Sequence, residues 1–151
     1  MSSKYERMTD LYFQALNEIL EPENWSRFLT TACRNFRLSF HEQVMLYAQK
    51  PDATAVLPIE GHNGWNRRFG RWVNRGAKGI AMFDGQYGVR YFFDIADTHE
   101  SAKAKPVPIW DVHKEDVDAV TEALEIRFGS LNVGAPLGAA LIYAAANAVE
   151  D

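Results

Sequence analysis

Residues 65–83 read WNRRFGRWVNRGAKGIAMF, and within this stretch the sequence changes from a helical to an extended pattern. Residues 65–69 suit one or two helical turns that end at Gly70, because glycine readily adopts the left-handed conformation that closes a helix. Short apolar runs at 72–73 and 80–83 then predict two strands joined by a glycine-containing loop. The stretch therefore predicts helical and extended structure side by side.

Upstream of this stretch, apolar residues recur at three- and four-residue steps, and this spacing predicts three helices before Pro51. Ser3 with Glu6 and Ser39 with Glu42 have the spacing of capping boxes, in which a serine and a glutamate cap the same helix start. We therefore expect the first helix to begin after Ser3 and the third to begin after Ser39.

Downstream, residues 53–59 and 89–95 predict further extended segments, and residues 98–109 predict an exposed connection. Two helices are predicted to close the chain, the second opening at Pro136, since proline suits a first helical position. The expected fold class is α+β, with helices packed on a small antiparallel β-sheet.

The domain organisation follows from these elements. We expect a single domain over residues 1–151, with an N-terminal helix at 1–23, a basic core at 24–98, a linker at 99–112 and C-terminal helices at 113–151. The chain ends on two acidic residues, which oppose the dipole at a helix C-terminus, so we expect it to be cut from a longer protein.

Composition excludes several classes of protein. With 47% hydrophobic and 24% charged residues, the balance is that of a globular protein. No apolar run approaches the ~20 residues that span a membrane, and the first residues lack the apolar core of a signal peptide. A single cysteine, Cys33, excludes an internal disulfide, which suits a reducing cytoplasm. We expect Cys33 to be a small core residue.

The net charge of −4 hides a split along the chain. Residues 1–23 carry net −3, residues 24–93 carry net +6, and residues 94–151 carry net −7. The basic middle is also rich in aromatic residues, most densely over residues 65–79. Aromatic rings stack on unpaired bases while arginine and lysine neutralise phosphates, so this mixture favours single-stranded nucleic acid. The alternative is a packed core beside a solvated basic face.

Two local motifs have candidate chemistry. The loop from Arg75 to Gly79 can present backbone N–H groups to an anion between two cations, although a simple hairpin turn is the alternative. The acidic stretch containing Asp94, Asp97 and His99 could hold a divalent metal for nuclease chemistry. Strand alternation is expected to point the two carboxylates apart, which favours a polar strand end instead.

Four stretches carry a family resemblance. They are LSFHEQVMLYAQKPDATA at 38–55, WN at 65–66, GRWVNRGAKGIA at 70–81 and FDIADT at 93–98. The chain resembles the N-terminal domains of very large proteins encoded on conjugative and other mobile elements of Gram-positive gut bacteria, which often combine DNA-methylase and helicase segments. More distantly, it is similar to the N-terminal single-stranded-DNA-binding domain of ArdC-type antirestriction proteins.

The resemblance implies an ArdC-N-like fold and binding of single-stranded DNA. The glycine–arginine element is intact as Gly70, Arg71, Val73, Gly76, Lys78 and Gly79. The ArdC-like pattern often has Asn-Gln where this chain has Glu42-Gln43, which replaces an amide with a negative charge. The HExxH motif of the ArdC metalloprotease-like domain does not occur in this sequence, so protease activity is not carried over.

Together these observations predict a non-enzymatic single-stranded-DNA-binding module of a cytoplasmic, mobile-element-encoded bacterial protein, without catalytic residues, metal or cofactor. Its expected partners are single-stranded DNA and other domains of a larger parent protein. The phosphate-binding candidates are Arg67, Arg68, Arg71, Arg75 and Lys78, with the loop glycines Gly76 and Gly79. The stacking candidates are Trp65, Trp72 and Tyr47, and the polar candidates are Gln43 and Gln49. Trp25 and Trp110 are assigned to packing. The alternatives are a docking module for a protein partner or another domain, and a metal-dependent nuclease.

Overall fold

Helices come before strands along most of the chain, in agreement with the predicted α+β class. The computed structural model describes residues 3–110 and 113–128. The elements are α1 (Lys4–Ile19), α2 (Pro22–Arg34), α3 (Phe40–Gln49), β1 (Val56–Pro58), β2 (Arg71–Val73), β3 (Ile80–Asp84), β4 (Gly88–Asp94), β5 (Thr98–Glu100) and α4 (Lys114–Phe128). A π-helical turn covers Trp65–Phe69, and a 3-10 turn covers Ile95–Asp97. The predicted helix at Pro136 lies outside the described residues.

Both predicted capping boxes are confirmed. The carboxylate of Glu6 accepts the backbone N–H of Ser3 at 2.7 Å, and that of Glu42 accepts the backbone N–H of Ser39 at 2.9 Å. The first helix ends at Ile19, before the predicted boundary at residue 23, and α2 already begins at Pro22. Proline is tolerated there because the first helical N–H has no partner within the helix.

The strands form two separate antiparallel sheets rather than one. The larger sheet has the order β1-β4-β3, with Ile80 opposite Phe92, and the smaller one pairs β2 with β5, with Trp72 opposite His99. The loop 74–79 therefore connects two sheets, and the hairpin alternative for it is wrong. The exposed connection predicted from residue 98 begins later, since Thr98–Glu100 is a strand.

Three clusters of buried side chains hold these elements together. The first lies between α1, α3 and the large sheet and includes Met45 and Met82. The second joins α1, α2 and α3 around Phe28, with Trp25 packed against it as predicted. The third is built around Trp65 beside β4. Cys33 is half-buried, and this burial raises the pKa of its thiol.

The free edge of β3 is covered by the side chain of Gln49 at the end of α3. Its Nε2 donates to the backbone oxygen of Ala81 at 2.9 Å, and its Oε1 accepts the backbone N–H of Ala81 at 2.9 Å. The amide thus replaces a neighbouring strand at this position, and it joins the helical layer to the sheet.

We expect Gln49→Ala to lower the free energy of unfolding by about 1.5 kcal/mol, because two hydrogen bonds are lost and Ala81 keeps two unpaired backbone groups. Urea unfolding followed by circular dichroism measures this change. Gln14→Ala is the matched control, since Gln14 is exposed on α1 and bonds only to Glu18 among the described residues. The control should change stability by less than about 0.5 kcal/mol. Equal effects of the two substitutions would contradict the role given to Gln49.

Candidate nucleic-acid interface

An open groove of about 660 Å³ lies where the α2–α3 connection, β1, the π-helical turn and residues 107–110 meet. Four arginines contribute to its lining: Arg34, Arg37, Arg68 and Arg90. Five aromatic residues belong to the same lining, of which Trp65, Phe69 and Phe92 are buried and Phe36 is exposed. The fifth is Trp110. The groove therefore combines the two side-chain types that single-stranded nucleic acids require.

Three of the groove arginines lie over aromatic rings. From Cζ to ring centroid, Arg37 is 5.6 Å from Phe36, Arg68 is 5.1 Å from Phe69, and Arg90 is 4.9 Å from Phe92. Contacts within about 6 Å are cation–π interactions. They hold each guanidinium in place before a ligand arrives, so less side-chain entropy is lost when an anion binds.

One carboxylate, that of Glu42, belongs to the same lining. Its Oε1 lies 2.8 Å from Nη2 of Arg90. Partial burial works to raise the pKa of Glu42, but hydrogen bonds from Ser39 and Arg90 outweigh it and hold this pKa below its ordinary value. Glu42 is thus ionised at neutral pH and compensates Arg90. Within the described residues, Arg37 and Arg68 form no ion pair, and they supply the uncompensated positive charge.

The ring of Phe36 is 61% exposed, whereas Trp65, Phe69 and Phe92 are buried. It lies in the turn between α2 and α3, next to Arg37. A large apolar ring in this position is costly in water but offers a face on which a planar ligand can stack. Phe36 and Arg37 are thus the most accessible stacking and cationic side chains of the groove wall that the α2–α3 connection forms.

The predicted phosphate-binding residues fall into three environments. Arg68 lines the groove, and Arg67 is exposed beside it. Arg71 is half-buried and bonds Thr98 at 2.8 Å and Glu100 at 3.2 Å, so it holds β2 to β5. Arg75 and Lys78 are exposed in the loop 74–79, outside the groove lining as described. The structure therefore brings one of the five predicted cations into the groove and places a second next to it.

Glycine occupies positions 76 and 79 of the loop for two different structural reasons. Gly76 has a φ of +83°, a conformation that favours glycine, and the space around it is open. Gly79 is required by packing, since a Cβ there would lie 2.9 Å from the ring of Tyr91. The loop is therefore set by one backbone conformation and one close contact.

The predicted polar and tyrosine candidates are engaged inside the protein. Gln43 is buried at 6% exposure and donates to the backbone oxygen of Asn35. The side-chain amide of Gln49 is hydrogen-bonded to the backbone of Ala81 in β3. Tyr47 is half-buried, with its ring edge-to-face with Phe28 at 5.9 Å. We do not retain these three residues as nucleic-acid contacts, because Gln43 is buried, the amide of Gln49 is bonded to β3, and the ring of Tyr47 packs on Phe28.

The two candidate tryptophans differ in exposure. Trp65 has no exposed surface and lies beneath the groove floor, where its indole N–H donates to the backbone oxygen of Phe93 at 2.8 Å. It supports the groove and has no face free for stacking. Trp72 is 51% exposed on β2, so a base could reach it, but it lies outside the groove lining as described.

The acidic cluster is organised around Lys50. Its Nζ lies 3.0 Å from Asp97 and 3.6 Å from Asp94, so the two carboxylates converge, and the expectation that they point apart is wrong. The 3-10 turn after β4 bends the chain and causes this convergence. Partial burial works to lower the pKa of Lys50, but Asp97 and Asp94 outweigh it and raise this pKa above its ordinary value.

Asp94 is buried and also accepts the backbone N–H groups of Thr54 and Ala55, both at 3.1 Å. His99 bonds Asn74 at 2.6 Å. Over residues 3–110 and 113–128, no three side chains of the metal-ligating types form a group that could hold a metal ion. The cluster therefore fastens the end of α3 to the end of β4, and the geometry adds no support to the nuclease alternative.

Sequence reasoning missed Arg34, Arg37, Arg90 and Phe36. The three arginines are part of the charge count of the basic middle, and Phe36 is one of its aromatic residues, but nothing local indicates that the four share one groove. No described helix is both long and apolar enough to cross a membrane. No family model, curated protein or solved structure matches the chain.

Proposed function

We propose that this domain binds single-stranded DNA in the groove, as a non-enzymatic module of a mobile-element protein. The observation that carries the proposal is the pairing of uncompensated arginines with aromatic rings around one open groove: Arg37 with Phe36, and Arg68 with Phe69. The arginines suit phosphates, and the exposed ring of Phe36 suits an unpaired base. The resemblance to mobile-element domains favours the same ligand.

An unpaired strand fits these features better than a duplex does. In a duplex each base already stacks on its neighbours, so a single exposed ring such as Phe36 has no free base face to contact. In an unpaired strand each base can rotate onto the ring, and stacking contributes about 1–3 kcal/mol for each base. The proposal therefore predicts a preference for single strands over duplexes of the same sequence.

The first test is the salt dependence of binding, measured by fluorescence anisotropy with a labelled mixed-sequence oligonucleotide of ~12 nucleotides. If two to three phosphates are neutralised, log affinity should fall against log salt with a slope of about −1.4 to −2.1 between about 50 and 200 mM salt. The slope depends on the number of phosphate contacts, so it reports how many cations of the protein neutralise phosphates.

Unlabelled duplex and RNA of the same sequence serve as competitors. The proposal expects the duplex to compete at least about tenfold more weakly than the single strand, because stacking on Phe36 is lost. Absence of binding at about 50 mM salt, or an affinity independent of salt, would overturn it. An RNA that competes about tenfold more strongly than DNA would make RNA the ligand instead.

A further inference from the structure

Residues 101–105 form a segment beside the groove that is hydrogen-bonded to the end of the π-helical turn. The backbone N–H of Ser101 donates to the oxygen of Gly70 at 3.1 Å, and that of Lys105 donates to the oxygen of Phe69 at 2.8 Å. Gly70 has a φ of +62°, and a Cβ on it would lie 2.5 Å from the backbone oxygen of Lys103. The segment is therefore fixed closely against the end of the π-helical turn.

The same segment leads directly into the groove. Two residues after Lys105, Val107 packs against the cluster of Trp65 and Phe69, and residues 107–110 line the groove. Phe69 belongs to both regions, since its ring lines the groove and its carbonyl holds Lys105. Lys105 thus lies next to the groove boundary, and Lys103 lies two residues earlier in the chain, farther from the residues that line the groove.

Three exposed cations belong to the two segments that meet here: Arg67 lies in the π-helical turn, and Lys103 and Lys105 lie within residues 101–105. Within the part of the chain that the structure describes, none of them forms an ion pair. The carboxylate of Glu100, near the start of the segment, is already paired with Arg71 at 3.2 Å. Arg67 is also the immediate neighbour of Arg68 in the groove. Positive charge thus extends along the chain from Arg68 to its neighbour Arg67, and residues 101–105 add two further cations.

We propose that Arg67, Lys103 and Lys105 form an extension track that binds the phosphates of nucleotides lying beyond the groove. This inference rests on the proposed function, and it adds a second part to the binding site: the groove holds stacked bases, and the extension track holds backbone only. A backbone-only track reads no sequence, so its contribution should depend on strand length and salt and not on base identity.

The test compares a short oligonucleotide of ~4 nucleotides, which fills the groove alone, with a long one of ~16 nucleotides. The double variant Lys103→Gln with Lys105→Gln should lose about tenfold affinity for the long strand and less than about twofold for the short one. Arg67→Gln is an independent second variant with the same expected pattern. Lys4→Gln with Arg27→Gln removes two charges outside both regions and should change the two affinities equally, by less than about threefold.

The outcomes separate the two proposals. If the unmodified protein binds neither oligonucleotide, the proposed function fails and the extension track fails with it. If the unmodified protein binds both oligonucleotides but the lysine variant loses nothing on the long strand, or loses equally on both lengths, the extension track is overturned and the groove remains. A loss confined to the long strand supports the extension track.

Discussion

Replacing Arg37 and Arg68 together with glutamine is expected to lower the affinity for a single-stranded oligonucleotide about 100-fold at about 50 mM salt. A hydrogen bond to a charged group contributes about 1.5 kcal/mol at the low end of its range. That is about tenfold in affinity for each arginine. The loss of two phosphate contacts should also make the salt slope shallower by about 1.4. Anisotropy titrations at several salt concentrations measure both quantities.

Substitution by glutamine removes the charge and keeps much of the side-chain length. A control must therefore show whether the position of the lost charges matters, or only their number. Lys4→Gln with Arg27→Gln removes the same two charges elsewhere and should weaken binding less than about threefold. Glu42→Gln checks the sign, because glutamine still suits the capping box while the negative charge is lost and Arg90 is released. That variant should bind about threefold more tightly. Equal losses for the groove pair and the control pair would show that the groove is not the site.

The loop 74–79 carries the binding site that the sequence predicts, whereas the structure points to the groove. Substitutions in the two places can be compared directly. The sequence predicts Arg75 and Lys78 as phosphate contacts because each lies next to a glycine. Both side chains are exposed in the structure. They lie outside the groove lining as described, so Arg75→Gln with Lys78→Gln should cost less affinity than the groove pair. A larger loss from the loop pair would return the site to the position that the sequence indicates.

Features with local causes were predicted correctly from the sequence. The capping box at Ser39, the turn that ends at Gly70 and the strand from Ile80 each depend on a few adjacent residues. The pairing of β2 with β5 was not predicted, because Thr98–Glu100 is polar and has no alternating apolar pattern. Its position results from the 3-10 turn after β4 and from the bonds of Arg71 to Thr98 and Glu100.

The groove was missed for the same kind of reason. Arg37 and Arg68 are far apart in sequence, and their sharing of one groove depends on how α2, α3 and the sheet pack together. Local sequence also cannot separate a buried tryptophan from an exposed one within a single arginine-rich stretch. Trp65 and Trp72 are seven positions apart, yet one lies in the core and the other lies half in solvent.

Trp65→Phe is expected to lower the free energy of unfolding by about 3 kcal/mol, because a buried hydrogen bond to Phe93 is lost and the smaller ring leaves a cavity. Urea unfolding followed by circular dichroism measures this loss. Phe36→Ala is the matched control. Its ring is 61% exposed, so stability should change by less than about 0.5 kcal/mol.

The two aromatic variants should have the opposite order of effects on DNA affinity, with the larger loss for the Phe36 variant. Phe36→Ala should lose about tenfold affinity, since one stacked base is worth about 1–3 kcal/mol. Trp65→Phe, measured where the protein is fully folded, should lose less than about threefold, because Trp65 supports the groove floor without presenting a free face. A Trp65→Phe variant that keeps full stability but loses binding would place the indole on the ligand, and the assignment of Trp65 to the core would then be wrong.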